Sequence, residues 1–199
     1  MYDWRHLTEQ QQAELLAFRR SLRRPWHSPP HRNVAGHRNY IISATCYEHV
    51  AVIGHTAKRM DDFSSTLVDT VTQLSDKLFA WCVLPNHYHF VLQTAEIEKL
   101  LETLGMLHGR TSYQWNTEEC CRGRQVWFNA FDRHLRSTGH LWASINYVHH
   151  NPVKHGYVTR WQYWPWSSAK AFLDEVGSER AKQLWLDYPV HDYGKGWDD

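Results

Sequence analysis

The sequence predicts an α+β fold built on a ferredoxin-like antiparallel sheet in the order β-α-β-β-α-β. Three observations carry that prediction. Runs rich in β-branched and aromatic residues at 39–47, 79–84 and 87–93 read as strands. Leucine-spaced stretches over 61–78 and from 96 onward read as helices. A further strand-like stretch at 125–136 closes the series, and the alternation is that of a split β-α-β unit. Two helices lie on one face of the sheet, with an added helix after the last strand and a helical extension before the first.

Taken in order, residues 4–24 form an amphipathic helix, with Leu7, Leu15, Leu16, Phe18 and Leu22 at helical spacing. Thr8, followed by Glu9, Gln10 and Gln11, suits its start. Pro25, Pro29 and Pro30 then make an extended linker. The first strand is Asn39 to Tyr47. Over 61–78, Phe63, Leu67, Val71, Leu74 and Leu78 share one helical face. Phe79 to Leu84 is a buried strand, Pro85-Asn86 is a turn, and His87 to Gln93 returns antiparallel to it. A helix starts at Glu96 and extends towards Trp115, with Ile97, Leu100, Leu101, Leu104 and Leu107 on its face. Residues 125–136 make a strand with an irregular centre. A short helix over 139–150 ends near Asn151, because Pro152 pushes its predecessor out of the helical region. The domain boundaries that follow are a 1–35 extension and linker, a 36–175 catalytic-type domain, and a 176–199 tail packed on it.

Composition narrows the class. With 199 residues, 42% of them hydrophobic and 14% aromatic, the chain suits one domain with a substantial core and not a disordered segment. No apolar run reaches the ~20 residues of a membrane helix, and the N-terminus lacks a signal-peptide core, so a cytoplasmic location is expected. Cys46, Cys82, Cys120 and Cys121 form no CxxC pair, which argues for reduced thiols and against a zinc site. The net charge of +1 is uninformative, but residues 105–170 hold 8 Lys and Arg against 3 Asp and Glu. Arg110, Arg122, Arg124, Arg133, Arg136 and Lys154 stand there among Tyr113, Trp115, Trp127 and Phe128. Cations among aromatic faces suit a single strand with a charged backbone and stackable bases. Taken alone, the same pattern also describes surface charge beside core aromatics.

Two constellations bear chemistry. On a strand, His87 and His89 point the same way with Tyr88 opposite, presenting two imidazoles as a metal site requires. With 15 histidines in the chain, that spacing alone is weak, and its place just after a Pro-Asn turn is what strengthens it. On a helix, Tyr147 and Asn151 stand at i and i+4 and share a face. If that face covers the sheet, Asn151 can add an amide oxygen to two imidazoles, a mixed N/O set suited to Mg²⁺ or Mn²⁺. A buried aromatic on a helix is the ordinary alternative for Tyr147. Lys154 and His155 follow closely and fit either a phosphate contact or a solvated helix end. Trp164 and Trp166 read as packing. Nothing in the spacing singles out His108, His134, His140, His149 or His150.

The segment Trp81-Cys-Val-Leu-Pro-Asn-His87-Tyr-His89-Phe-Val-Leu, with the later Tyr147-Val-His-His-Asn151-Pro-Val-Lys154-His155-Gly, resembles the REP-associated tyrosine transposases, single-tyrosine HUH nucleases related to insertion-sequence transposases. Trp164-Pro-Trp-Ser-Ser168 resembles the family's tail motif, and the similarity spans 38–172. The resemblance implies His87 and His89 as metal ligands, Asn151 as the third, and Tyr147 as nucleophile. It implies a single-stranded DNA endonuclease and strand transferase acting on hairpins of palindromic repeats, with Mg²⁺ or Mn²⁺, as a monomer rather than a dimer. Cleavage passes through a 5′-phosphotyrosine link. A phenol of ordinary acidity, pKa about 10, needs activation for such an attack. Arg122, Arg124, Arg133, Arg136, Lys154 and His155 are the candidate DNA contacts. A second reading is a hairpin-binding protein of the same fold that does not cut.

Overall fold

The computed structural model of the chain describes residues 8, 10, 11, 14, 36–128, 130–191 and 193. Two compact units divide the chain, one of Met1–Ala35 with Lys195–Asp199 and one of Gly36–Gly194. In the first, Thr8 N–H donates to Gln11 Oε1 at 2.9 Å and Gln11 N–H donates back to Thr8 Oγ1 at 3.3 Å. That reciprocal pair is a capping box, and residues 10, 11 and 14 are helical beyond it. The rest of the predicted 4–24 helix and its proline linker lies outside the described residues.

The second unit holds four strands: β1 (Arg38–Thr45), β2 (Lys77–Val83), β3 (His87–Thr94) and β4 (Phe131–Leu135). Helix α1 (Ala57–Leu74) joins β1 to β2, and α2 (Ile97–Glu118) joins β3 to β4. Then come α3 (Thr138–Lys154), α4 (Ala169–Val176) and α5 (Ser178–Asp187). The sheet order is β2-β3-β1-β4, with every pairing antiparallel. The chain is therefore a mixed α/β fold with the expected β-α-β-β-α-β connectivity.

Several predicted boundaries move, and the strand expected over 125–136 is regular only over Phe131–Leu135. Helix α1 begins at Ala57, not 61, because the Thr56 side chain caps it by accepting from Arg59 N–H at 3.1 Å. It stops at Leu74 because the Asp76 N–H bonds the Gln93 carbonyl at 2.8 Å, and Leu78 belongs to β2. Helix α3 does not end before Pro152 but runs through it to Lys154. A proline inside a helix removes one backbone hydrogen bond. Here Pro152 is buried in the last turn, and its own carbonyl accepts from Tyr157 N–H at 2.9 Å. Packing outweighs the lost bond.

Alternation along β3 divides the core. Tyr88 meets Phe63 of α1 with ring centroids 6.1 Å apart and shares a 2.9 Å hydrogen bond with His108 of α2. Trp115 and Trp127 complete this aromatic layer, each 5.4 Å from Phe63. Aromatic pairs of this kind add about 0.5–1.5 kcal/mol beyond burial. His87, His89 and Val91 point to the opposite face, where α3 packs.

The Trp164–Ser168 segment runs along the outer edge of β2. Val83 N–H donates to Trp166 O at 2.9 Å and Ser168 N–H to Trp81 O at 3.0 Å, with a bridge between Cys82 and Ser167. Trp164 Nε1 donates to Val83 O at 2.8 Å. The tail motif thus closes a strand edge that would otherwise be open to pairing. All four cysteines are free, with Cys46 and Cys82 buried. No helix among the described residues is long and apolar enough to cross a membrane.

Candidate metal and nucleophile site

The site lies where β3 meets α3. His87 opens the strand after a turn whose backbone is fixed at two points: Cys46 N–H donates to Asn86 O at 2.7 Å, and Gly54 N–H to Pro85 O at 2.9 Å. His87 and His89 are 1% and 0% exposed, with ring centroids 5.0 Å apart. From the facing helix, Asn151 Oδ1 lies 3.0 Å from His87 Nε2, and the Tyr147 ring lies 5.3 Å from that of His89. His87, His89, Asn151 and Tyr147 therefore converge.

Outer contacts orient both imidazoles. Asn86 Nδ2 donates to the His49 carbonyl at 3.0 Å, which fixes Asn86 Oδ1 as the atom 2.7 Å from His87 Nδ1. Nδ1 of His87 thus carries a proton, and Nε2 is the ring atom that faces Asn151. Ser43, directly across from His89 in the β1–β3 register, places its Oγ 2.6 Å from His89 Nδ1. Second contacts of this kind set the tautomer of metal-bound histidines.

The donor chemistry fits a divalent cation. His87 Nε2 and Asn151 Oδ1 face each other at 3.0 Å, a hydrogen bond when Nε2 carries a proton and a pair of lone pairs open to a shared cation when it does not. Among the described residues no group of three or more His, Cys, Asp or Glu gathers to hold a metal. The set at this point is thus two imidazoles and an amide oxygen, the mixed N/O character that Mg²⁺ and Mn²⁺ accept.

Tyr147 is 1% exposed. Lys154, two turns along and exposed, sets its Nζ 5.3 Å over the Tyr147 ring. On another side the Tyr193 ring stands 5.7 Å away, held by a hydroxyl contact with Ser144 Oγ and by the His140 ring at 5.6 Å. His155 packs its ring 4.9 Å from His87.

The predicted arginine contacts separate. Arg133, opposite Ile41 in the β1–β4 register, shares the face of Ser43 and His89, with its guanidinium 5.8 Å over Phe131. Arg136 is exposed just beyond β4. Arg124 is instead committed within the fold, donating to Glu119 Oε2 at 2.8 Å and to Asn116 Oδ1 at 2.9 Å. Arg122 is exposed in the same connection. His108 and His149, which the spacing does not single out, make their contacts elsewhere. The first stacks on Trp127 at 4.2 Å, and burial lowers its pKa to about 4. The second bonds Ser168 Oγ at 2.9 Å, and burial lowers its pKa to about 3.

Sequence reasoning missed Ser43 and Tyr193 altogether. Ser43 is joined to the site only by strand register, and Tyr193 only by the return of the chain after α5. Asn86 stood in the motif as a turn residue, with no sign that its side chain would orient His87. A cleft of about 460 Å³ also opens behind α3, lined by His149, His150, Trp161, Phe172 and Trp185 among others. It holds none of the four convergent side chains.

Comparison with known proteins agrees with the motif resemblance. No protein-family model matches the chain. A Haemophilus influenzae protein named as a REP-associated tyrosine transposase is 29% identical over 137 residues, 63% of this chain and 76% of that protein. The REP-associated tyrosine transposase of Escherichia coli is 29% identical over 90 residues, 45% of this chain and 52% of its own length. A solved structure of a REP-associated tyrosine transposase bound to a REP hairpin shares the fold, with a TM-score of 0.54 and 17% identity. That match covers 79% of this chain and 85% of the other.

Proposed function

Starting from this chain's kinship with the REP-associated tyrosine transposases, we propose that it is a metal-dependent, hairpin-directed single-stranded DNA endonuclease and strand transferase with Tyr147 as nucleophile. The observation that carries the reading is the meeting of strand and helix: His87 Nε2 with Asn151 Oδ1 at 3.0 Å, and His89 with Tyr147 at 5.3 Å. His87, His89 and Asn151 would hold a divalent ion, which when bound polarises a phosphate and offsets its developing charge. Tyr147 supplies the attacking oxygen. One bond forms between that oxygen and phosphorus while the bond from phosphorus to the 3′-oxygen breaks. The phenol loses a proton and the leaving 3′-oxygen gains one, so the step is balanced and needs no nucleotide cofactor. Attack by a 3′-hydroxyl on the phosphotyrosine link reverses it, which permits rejoining. Lys154 and Arg133, on the same side, suit the strand's phosphates.

The burial of Tyr147 favours a second reading, a hairpin-binding protein that does not cut. Incubation with a labelled DNA hairpin and Mn²⁺ or Mg²⁺, resolved on a denaturing gel, separates the two. The first reading expects a covalent protein–DNA adduct that disappears in Tyr147→Phe while binding persists. Hairpin binding with no adduct under either metal would sink it and leave the second.

A further inference from the structure

The loop that leaves α3 carries side chains that neither the metal site nor the core uses. Gly156, at φ +73°, turns the chain out of the helix in a conformation that suits glycine. Beyond it Tyr157 and Tyr163 are 43% and 61% exposed. Among the described residues these are two of the six large hydrophobic side chains left exposed, and both fall in one short loop. Arg160 lies between them in sequence, exposed, with its guanidinium 5.8 Å over the Tyr163 ring.

The Tyr157 ring is held in place from below, and Tyr163 is met by Arg160. Tyr157 leans on Trp164 with centroids 5.3 Å apart, and Trp164 is fixed by its bond to the Val83 carbonyl. Trp161 faces inward and stacks on His149 at 5.8 Å. The line of rings also starts at the candidate site: His87 to His155 is 4.9 Å, His155 to Tyr157 is 6.5 Å, and Tyr157 to Trp164 is 5.3 Å. Charge agrees with the geometry. The sequence has no Asp or Glu between Asp132 and Asp174, yet carries Arg133, Arg136, Lys154, Arg160 and Lys170 there.

We propose that Tyr157, Arg160 and Tyr163 form a stacking platform for unpaired DNA nucleotides, leading a single strand to the His87–His89 site. It deepens the reading of the chain as a single-stranded DNA enzyme and rests on it for the choice of partner. Rigid, part-exposed aromatic faces beside a guanidinium offer a π-surface to any base and a cation to the backbone, whatever the sequence. An acidic segment would repel the strand; the chain from Arg133 to Leu173 that carries this loop has no acidic residue, and Asp61 of α1 nearby is engaged by Trp166 Nε1 at 2.8 Å.

Fluorescence anisotropy with oligo(dT) and with a blunt-ended DNA hairpin tests the platform. Tyr157→Ala with Tyr163→Ala is expected to weaken oligo(dT) binding roughly tenfold or more, from about 1–3 kcal/mol per stacked base. Hairpin binding should stay within a factor of about two, since the stem presents no free base faces. Tyr163→Phe keeps the ring and should bind oligo(dT) as the unaltered protein does. Replacing thymidine by 5-iododeoxyuridine should give photocrosslinks mapping to Tyr157 or Tyr163. Unchanged oligo(dT) affinity in the double variant, equal losses on both DNAs, or no oligo(dT) binding by the unaltered protein would each overturn the proposal. Adduct formation at Tyr147, measured in parallel, keeps the two ideas apart. An adduct with no effect of the ring variants removes the platform alone, whereas platform-dependent binding with no adduct removes the cleavage reading alone.

Discussion

At the scale of single residues, the site depends on which atom of each side chain faces which. Asn86 acts twice, donating to the His49 carbonyl and accepting from His87 Nδ1, so its two bonds fix the ring's rotation and tautomer together. Asn86→Ala would remove both and leave the imidazole free to turn. Mn²⁺ affinity measured by calorimetry is expected to fall about 10–100-fold, the usual cost of losing a contact that orients a ligand. A thermal melt run alongside shows whether the fold survives. Unchanged affinity would mean that Asn86 only shapes the turn.

The elements meet at the site through the turn before β3. Gly54 sits so close to this turn that a Cβ on it would press on the Pro85 ring and lie 2.9 Å from the Pro85 Cα. Because the obstacle includes backbone, no side-chain rotation relieves it. Gly54→Ala should cost about 1–3 kcal/mol, the range for overpacking, and urea denaturation should show a lower midpoint at unchanged slope. A neutral result would mean that the turn yields, and that His87 is held by Asn86 more than by the backbone. Helix α3 shows the opposite balance. Continuing through Pro152 costs a hydrogen bond, yet it keeps Asn151 and Lys154 in helical register with Tyr147, so all three share one stripe.

Across the whole molecule, two long-range connections have measurable consequences. Glu119 at the end of α2 binds Arg124 and also Arg59 of α1. Those guanidinium groups lower its pKa from the ordinary 4.5 to about 2. A carboxylate whose pKa is depressed on folding supplies stability in full above its unfolded value, and that stability is lost as pH falls towards 2. Melting temperature should therefore decline below pH 4.5, and Glu119→Gln should flatten that part of the curve. An identical pH profile in the variant would show that Glu119 does not carry the acid sensitivity. The second connection is Tyr193, which returns from beyond α5 to cover Tyr147. If Tyr147 is the nucleophile proposed above, Tyr193→Ala should raise the rate of adduct formation on a hairpin substrate, and an unchanged rate would show that Tyr193 does not shield the Tyr147 hydroxyl.

How much could be read in advance follows from the range of the forces involved. Alternation along 87–93 and helical spacing over 57–74 and 97–118 are local, so these elements and the connectivity were legible to within about four residues, whereas the strand expected over 125–136 begins six residues later, at Phe131. The grouping of His87 with His89, and of Tyr147 with Asn151, is likewise a matter of spacing on one element. Local rules failed at Pro152, where burial outweighs a backbone preference, and at Arg124, whose charge is spent on Glu119 and not on a partner outside. By itself, then, the sequence determined the fold class and the two pairs of candidate residues. Only the tertiary structure decided that the pairs face each other at 3.0 Å, that Ser43 and Asn86 aim the imidazoles, and that Tyr193 covers Tyr147. Asn86 neighbours His87 but is itself held by the distant His49 carbonyl, and the other contacts join residues far apart in the chain. Strand register, the packing of α3 against the sheet and the return of the chain after α5 create them, which no periodicity encodes.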